Sequence, residues 1–170
     1  AVVEQAMRSG KRAISAGPGN PPAVVDETAH LEEAARGIVS GAGFDNNIIC
    51  TCEKEIVVVS SVADRFKKAL REAPTHELTA GELRALEKVL ITPDNHVNRE
   101  FVGKNANVLL RAAGRSAPDD LRLLWAEVDE SHPFVQHEML MPVLGVVRAK
   151  DVGEAIAVAR RVEHGYGHTA

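Results

Sequence analysis

The chain has 170 residues, of which 45% are hydrophobic and 26% are charged, and its formal net charge is −4. This size and composition fit one globular domain with a real core and exclude an intrinsically disordered chain. Neither a basic stripe nor an apolar run of about 20 residues occurs, so the sequence supports neither nucleic-acid binding nor a membrane span. Residues 1–6 lack the basic end and long apolar centre of a signal peptide, and we interpret them as the tail of a helix from a longer protein.

The first elements along the chain are predicted to be two strands joined by a rigid loop. A short apolar run at 12–16 predicts a strand, and Ala23-Val24-Val25 predicts a second one. Between them, Gly17-Pro18-Gly19-Asn20-Pro21-Pro22 lacks the Lys-Ser/Thr of a P-loop and the spacing of a dinucleotide loop. Proline lacks the backbone N–H that would bind phosphate, so residue chemistry alone indicates a turn that sets the direction of the two strands.

A helix is predicted next, and it leads into the stretch that carries both cysteines. Apolar residues recur at helical spacing at Leu31, Ala34, Ala35, Ile38 and Val39. A polar Asp-Asn-Asn run follows at 45–47, then Cys50 and Cys52, then the apolar strand 56–59. A thiol on a connection between packed elements is held rigidly and can face a cleft, which is where catalytic side chains are often carried.

The two cysteines have other interpretations from their chemistry alone. A lone cysteine is usually a small buried hydrophobe, so Cys50 need not be a nucleophile. Cys52 forms a Cys-x-Cys pair with Cys50, which suggests half of a metal site, but no further ligands are close in sequence. A disulfide between Cys50 and Cys52 would be strained, so a reducing cytoplasm is the expected compartment.

The second half of the chain alternates between predicted helices and strands. Ser61–Asp64 and Thr79–Glu82 match capping boxes, each before an apolar helical face. The remaining predictions are a helix over 104–113 that ends at Gly114, buried strands at 121–128 and 143–147, and a helix that begins at Asp151 and stops at Gly165, with Val152, Ala155, Ile156, Ala159 and Val162 facing inward. Alternating strands and helices favour an α/β fold with a mostly parallel sheet.

Glutamate and histidine are the other candidates for chemistry. Glu138 precedes a Met-Leu-Met-Pro-Val run, and without further information it is a solvated turn residue. The seven histidines form no site by spacing, although any histidine can act as a base. Among the histidines, His137 is the strongest candidate for a base, because it adjoins Glu138.

Taken together, segments along nearly the whole chain resemble the catalytic domain of aldehyde dehydrogenases, in that family's order. These segments are 16–22, 44–55, 132–135, 138–144, 164–165 and 168–170. The resemblance implies a three-layer α/β/α sandwich with a mostly parallel sheet, formed by a single cysteine-bearing domain over 1–170. It also implies that the dinucleotide-binding domain and the C-terminal segment are absent from this chain.

More narrowly, Phe44-Asp45-Asn46-Asn47, then Cys50, then Glu53-Lys54-Glu55 look like the CoA-acylating branch of the family. That branch includes the propanal and acetaldehyde dehydrogenases of bacterial microcompartments. The resemblance implies that Cys50 attacks a short aldehyde, that hydride passes to NAD⁺, and that CoA takes the acyl group from the cysteine thioester, all reversibly. It implies an oxyanion held by the Cys50 N–H and by an asparagine of the absent domain.

The same resemblance assigns further residues and partners. Glu138 accepts hydrogen bonds from the nicotinamide ribose hydroxyls, and Gly17 lies on a loop that faces the nicotinamide and the thiol. Ser15 stands where hydrolytic members carry a general-base glutamate, and Cys52 falls at a variable position, where we expect a packed strand residue. No metal is implied.

We further expect a homo-oligomer at full length, a microcompartment lumen with its shell or enzymes as partners, and an isolated chain that is inactive. Two other hypotheses remain at this point. One is a non-catalytic assembly domain derived from an aldehyde dehydrogenase, and the other is a metal- or redox-responsive Cys-x-Cys domain.

Overall fold

The structure is a computed structural model that describes residues 2–14 and 17–168. Within these residues the strands are Pro22–Val25 (β1), Glu55–Val59 (β2), Thr75–Glu77 (β3), Leu123–Glu127 (β4) and Val143–Ala149 (β5). The helices are Val2–Arg8 (α1), Leu31–Ala42 (α2), Ser60–Glu72 (α3), Ala80–Leu90 (α4), Ala106–Ala112 (α5), Pro133–Gln136 (α6) and Val152–Val162 (α7). In this part of the chain, no helix combines the length and apolar character needed to cross a bilayer.

The strands form one sheet in the order β1-β2-β5-β4-β3, and every pair in it is parallel. The chain moves across the sheet from β1 through β2 to β3 and then returns through β4 to β5. Because crossovers between parallel strands are right-handed, the helices of the outward and return paths cover opposite faces. This confirms the predicted three-layer α/β/α sandwich.

Alternating side chains of β4 and β5 contribute to two different clusters of the hydrophobic core. Trp125 and Leu144, which are register partners, belong to one cluster, and Leu124 and Val143 belong to the other. β2 is buried at all of its residues, as expected of a central strand covered on both faces. Most of the predicted strands and helices are therefore confirmed.

Several local predictions are wrong for identifiable reasons. The box at Ser61–Asp64 does not cap α3, because Ser61 Oγ donates to Glu27 and Asp64 pairs with Arg148 across the domain. The capping box at Thr79 and Glu82 is confirmed.

The predicted inward face of α7 is partly wrong. Asp151 caps the helix as predicted, but Val152 and Ile156 are exposed, while Val158 is buried. The buried set is Ala155, Val158, Ala159 and Val162. Ile156 lies about 100° around the helix from Ala155, which turns it away from the sheet.

The strand predicted at 12–16 is absent at 12–14, where Ile14 is 93% exposed, and Ser15 and Ala16 lie outside the described residues. A strand needs a neighbour to pair with, and β1 already forms that edge of the described sheet. Two short elements, β3 and α6, were not predicted. β3 has the sequence Thr-His-Glu, which shows no apolar alternation, and it pairs only with β4.

The parallel sheet brings three loops together at one end. The loops at 17–21, 48–54 and 137–142 lead into β1, β2 and β5, which are neighbours in the sheet. We call this end the amino edge, and the opposite end the carboxyl edge. Cys50, Gly17 and Glu138 all lie on the amino-edge loops.

Candidate active site

The loop before Cys50 has an unusual backbone. Asp45, Asn46 and Asn47 have φ values of 45°, 53° and 64°, three consecutive non-glycine residues in the left-handed region. Each such residue costs roughly 1–2 kcal/mol in general, and asparagine and aspartate tolerate the conformation best. The Asp-Asn-Asn run therefore has a backbone reason for its composition, and the surrounding contacts must hold it in place.

Two asparagine amides hold this loop. Asn47 is buried, and its Nδ2 donates to Ala42 O at 2.9 Å and to Glu53 O at 2.8 Å. Asn46 Nδ2 donates to Gly103 O at 3.0 Å and to Asn105 Oδ1 at 2.8 Å. The loop is thus tied to the end of α2 on one side and to the segment before α5 on the other.

A buried lysine closes the loop from beneath. Lys54 is 1% exposed, and its Nζ donates to Asn47 O, Asn47 Oδ1 and Ile49 O at 2.7, 2.6 and 3.0 Å. Burial lowers the pKa of Lys54, while the nearby Glu138 carboxylate and the Cys52 and Cys50 thiols act to raise it. One buried cation therefore lies within electrostatic reach of Cys50 and Glu138.

The two thiols differ in environment. Both cysteines are free, and Cys50 is half-buried whereas Cys52 is buried. Burial is the main cause that raises the pKa of Cys52, whose Sγ lies 3.8 Å from Phe44 O. Cys52 is packed as expected, but it lies in a turn before β2 and not on a strand. Of the two, Cys50 has the accessibility that a nucleophile needs.

The Cys50 amide also lacks a partner within the described structure. Across residues 2–14 and 17–168, no acceptor receives the Cys50 N–H, although the neighbouring Cys52 N–H donates to Ile49 O at 3.1 Å. An unpaired amide beside an accessible sulfur is the arrangement that stabilises an oxyanion formed on attack at a carbonyl.

The Gly-Pro loop packs directly against the Cys50 backbone. A Cβ on Gly19 would lie 2.8 Å from Cys50 O and 2.5 Å from His168 Cδ2, so only glycine fits there. The loop is further joined to the cysteine segment by the Lys54 N–H, which donates to Pro21 O at 2.9 Å. Gly17 is exposed, and a Cβ there would meet nothing within 4 Å in the described structure.

The structure places the other predicted residues unequally. Glu138 is half-buried and near Lys54, whereas the Nε2 of His137 lies 3.3 Å from Asn95 Oδ1, away from Lys54. His168, which spacing did not single out, lies against Gly19, the residue that also packs on Cys50 O. Its Nε2 is buried and has no partner within the described chain. No local pattern marks His168, because 118 residues separate it from Cys50.

Two more polar groups are buried near the amino edge. Glu55 begins β2, and both of its carboxylate oxygens are buried without a partner in the described chain. Burial raises the pKa of Glu55 to about 9, so the carboxyl is neutral at pH 7. Asn20 Nδ2 donates to Val135 O and Val162 O, but its Oδ1 also lacks a partner there. Among the described residues, no group of three His, Cys, Asp or Glu side chains is placed to hold a metal ion.

Comparisons with known proteins agree on one family. A sequence model described as "Aldehyde dehydrogenase family" matches residues 1–109. The chain is 47% identical over 176 residues to an acetaldehyde dehydrogenase (acetylating), EutE, of Salmonella typhimurium, covering 100% of this chain and 38% of that protein. It is 42% identical to the propanal dehydrogenase (CoA-propanoylating) of the same organism, covering 99% and 36%.

A solved structure shows the same architecture. Propionaldehyde dehydrogenase of Rhodopseudomonas palustris, with bound CoA and an acylated cysteine, superposes with a TM-score of 0.91 at 41% identity, covering 96% of this chain and 38% of that one. The chain thus spans less than two fifths of the length of these relatives.

Proposed function

The chain belongs to the aldehyde dehydrogenase family, and from that membership and the geometry around Cys50 we propose a CoA-acylating, NAD-dependent oxidation of a short aldehyde. The main support is the half-buried thiol of Cys50. It lies on a loop held by several hydrogen bonds, next to the Cys50 amide, which has no partner among the described residues. The names of the relatives support acetaldehyde or propanal as the aldehyde.

The proposed chemistry begins at the sulfur of Cys50. The thiolate forms a bond to the carbonyl carbon, and the carbonyl π electrons move to oxygen, where the Cys50 N–H donates to the negative charge. When the carbonyl re-forms, hydride leaves and Cys50 carries a thioester. Attack by the CoA thiolate then expels the Cys50 thiolate. Overall, aldehyde, CoA and NAD⁺ give acyl-CoA, NADH and a proton, and the same groups serve the reverse direction.

NAD⁺ supplies the hydride acceptor, and two residues of this chain fit its nicotinamide half. The Glu138 carboxylate is half-exposed, and an ionised carboxylate only accepts hydrogen bonds, which suits the two ribose hydroxyls. The open surface at Gly17 lets a flat ring approach the loop beside Cys50. His168 adds an imidazole at the same loop, suited to take the proton of an incoming thiol.

The acyl acceptor is proposed to be CoA and not water. Water needs a base to take its proton, which is commonly worth roughly 10²–10⁴-fold in rate, whereas a thiol ionises far more readily near neutral pH. The position aligned with the family's hydrolytic base holds Ser15, which lies outside the described residues. A serine hydroxyl does not ionise near neutral pH, so the thioester awaits a better nucleophile.

The cellular setting follows from the same relatives. A propionaldehyde dehydrogenase of the Clostridium phytofermentans fucose-utilisation microcompartment superposes with a TM-score of 0.92 at 39% identity. We therefore propose a microcompartment lumen as the location, in contact with shell proteins or partner enzymes. A homo-oligomer at full length is also part of the proposal.

The test is product analysis on the enzyme expressed from the full reading frame around this sequence. With propanal and NAD⁺, we expect NADH and propanoyl-CoA only when CoA is present. Cys50→Ser should abolish turnover, while Cys52→Ser, the matched control, should keep most of it. Steady turnover to free propanoate without CoA would overturn the acylating assignment. Full activity of Cys50→Ser would overturn the assignment of the nucleophile and favour a non-catalytic role for this thiol.

A further inference from the structure

The buried ammonium of Lys54 has no part in the chemistry described so far, yet it is bonded to the residues that carry Cys50. Its three partners, Asn47 O, Asn47 Oδ1 and Ile49 O, are all acceptors. A neutral amine offers only two N–H bonds, so three acceptors around one nitrogen require the charged ammonium. The arrangement therefore favours a positive charge under the nucleophile loop, although burial lowers the pKa of Lys54.

One of these bonds acts on the peptide that contains the Cys50 amide. Ile49 O and the Cys50 N–H belong to the same planar peptide unit, and in a trans peptide the two groups point in opposite directions. Lys54 Nζ binds Ile49 O from the buried side at 3.0 Å, so the Cys50 N–H is turned away from Lys54. The second lone pair of Ile49 O accepts from the Cys52 N–H, and this peptide plane is therefore fixed by two donors.

The other two bonds act on the strained part of the loop. Asn47 has a left-handed backbone, and Lys54 binds both its carbonyl and its side-chain oxygen. The amide nitrogen Nδ2 of Asn47 donates its two hydrogen bonds to the carbonyls of Ala42 and Glu53. Lys54 and Asn47 thus hold each other in one arrangement, and they fix the loop that carries the half-buried Cys50.

The charge of Lys54 also acts on the groups around Cys50. The Cys50 thiol and the Glu138 carboxylate are both close enough to Lys54 to interact with its charge. Within the described residues, Lys54 is the one basic side chain buried in the protein, so its field at Cys50 is weakly screened by solvent.

We propose that Lys54 is a positioning residue for Cys50: its ammonium orients the Ile49–Cys50 peptide so that the Cys50 amide is free to bind an oxyanion, and it holds a positive charge beside the sulfur. This inference rests on the proposed function, because the proposed function assigns the reaction that Cys50 performs. The effect of the Lys54 charge on Cys50 can still be measured without turnover.

The experiment compares alkylation of Cys50 by iodoacetate, which is anionic, with alkylation by iodoacetamide, which is neutral and of similar size. Rates at Cys50 are measured by mass mapping in the full-length enzyme. A nearby positive charge raises the rate with the anion selectively, so the iodoacetate-to-iodoacetamide ratio should fall about threefold or more in Lys54→Met. A purely structural effect on access changes both rates by the same factor and leaves the ratio unchanged.

Three further variants complete the series. Lys54→Gln keeps an N–H donor without charge, and it should show the same fall in the ratio even if Lys54→Met does not fold. Lys54→Arg keeps the charge and should retain the wild-type ratio to within about twofold. Lys67→Met removes one positive charge at the carboxyl edge, where Lys67 pairs with Glu127, and should leave the ratio unchanged.

Turnover gives the second readout. Lys54→Gln should lower kcat for acyl-CoA formation about tenfold or more, with a smaller change in KM for the aldehyde, because the amide acts on the oxyanion and not on the bound aldehyde. A wild-type alkylation ratio in Lys54→Gln would overturn the inference. If the ratio falls but the wild-type enzyme makes no acyl-CoA, the proposed function fails and the charge effect stands.

Discussion

The two ends of the parallel sheet are built in opposite ways. At the carboxyl edge, Glu127 receives Lys67 Nζ at 2.7 Å and Arg148 Nε at 2.7 Å, and Arg148 also binds Asp64 at 2.7 Å. The amino edge carries a left-handed loop, one buried ammonium, a neutral buried carboxyl and several polar atoms that have no partner in the described part of the chain. Charges at one end are exposed and paired, and polar groups at the other are buried and partly unpaired.

This contrast points to the amino edge for the proposed chemistry, whereas the general fold rule points to the carboxyl edge. Ligands of open α/β sheets usually bind outside the carboxyl ends of the strands. Here the accessible thiol, the strained backbone and the Cys50 amide, which has no partner among residues 2–14 and 17–168, all lie at the amino ends. Strain and unsatisfied groups persist only where the surroundings enforce them, and they cluster where chemistry is done.

The largest expected effect of a single change at the amino edge is at Asn47. Asn47→Ala removes two buried donors and forces alanine into a left-handed conformation, which should destabilise the protein by about 2–4 kcal/mol. Asn47→Gly is the matched control, because it tolerates the backbone but loses the same donors, and it should be less destabilised by about 1 kcal/mol. Denaturation midpoints measure both. Equal losses in the two variants would show that the backbone conformation carries no cost.

The next effect separates the two glycines of the Gly-Pro loop. Gly19→Ala places a methyl group 2.8 Å from Cys50 O, and the displaced backbone should lower kcat by about tenfold or more and the stability by roughly 1–3 kcal/mol. Gly17→Ala meets nothing within 4 Å in this chain, so its stability should be unchanged. If Gly17 faces the nicotinamide, its variant should raise KM for NAD⁺ alone. A wild-type kcat in Gly19→Ala would contradict the packing described here.

The smallest effect compares one carboxyl from each edge across pH. Burial holds the pKa of Glu55 at about 9, above its unfolded value of about 4.5, so Glu55 makes the protein less stable as pH rises through that window, by at most about 1.4 kcal/mol per pH unit. Hydrogen bonds from Arg148 and Lys67 outweigh burial and lower the pKa of Glu127 to about 2, so its contribution is present above pH 4.5 and is lost as pH falls towards 2.

Glutamine variants should therefore shift stability in opposite directions. Glu55→Gln should gain stability relative to wild type steadily as pH rises from about 4.5 towards 9. At pH 4 it should match wild type, because its amide is also left without partners. Glu127→Gln should lose up to about 1 kcal/mol at pH 7, since its ion pairs are partly solvated, and the loss should shrink below pH 4. Denaturation midpoints between pH 3 and pH 9 measure both. Parallel pH trends in the two variants would contradict the contrast between the edges.

Much of the fold was predictable because it depends on local patterns. The apolar periodicity of α2, the capping box at Thr79 and the apolar strands β2, β4 and β5 are properties of short segments, and each was read correctly. The wrong predictions occur where the contacts of a residue depend on a partner that is distant in the sequence. Ser61 and Asp64 match a capping box but bond to Glu27 and Arg148. Ile156 fits the helical spacing of an inward face, but its side chain is exposed.

For the site, the order of residues around Cys50 showed the resemblance to the family, and the resemblance identified Cys50 as the candidate nucleophile. The Asp-Asn-Asn composition also indicated a turn. The sequence did not reveal that Lys54 folds back under Cys50, that His168 meets Gly19, or that Glu55 is buried and neutral. These properties arise from groups that meet across the amino edge after the sheet has formed. Burial and the pKa of a side chain depend on all the atoms around it, and those neighbours come from β1, β2, β5 and α7 together.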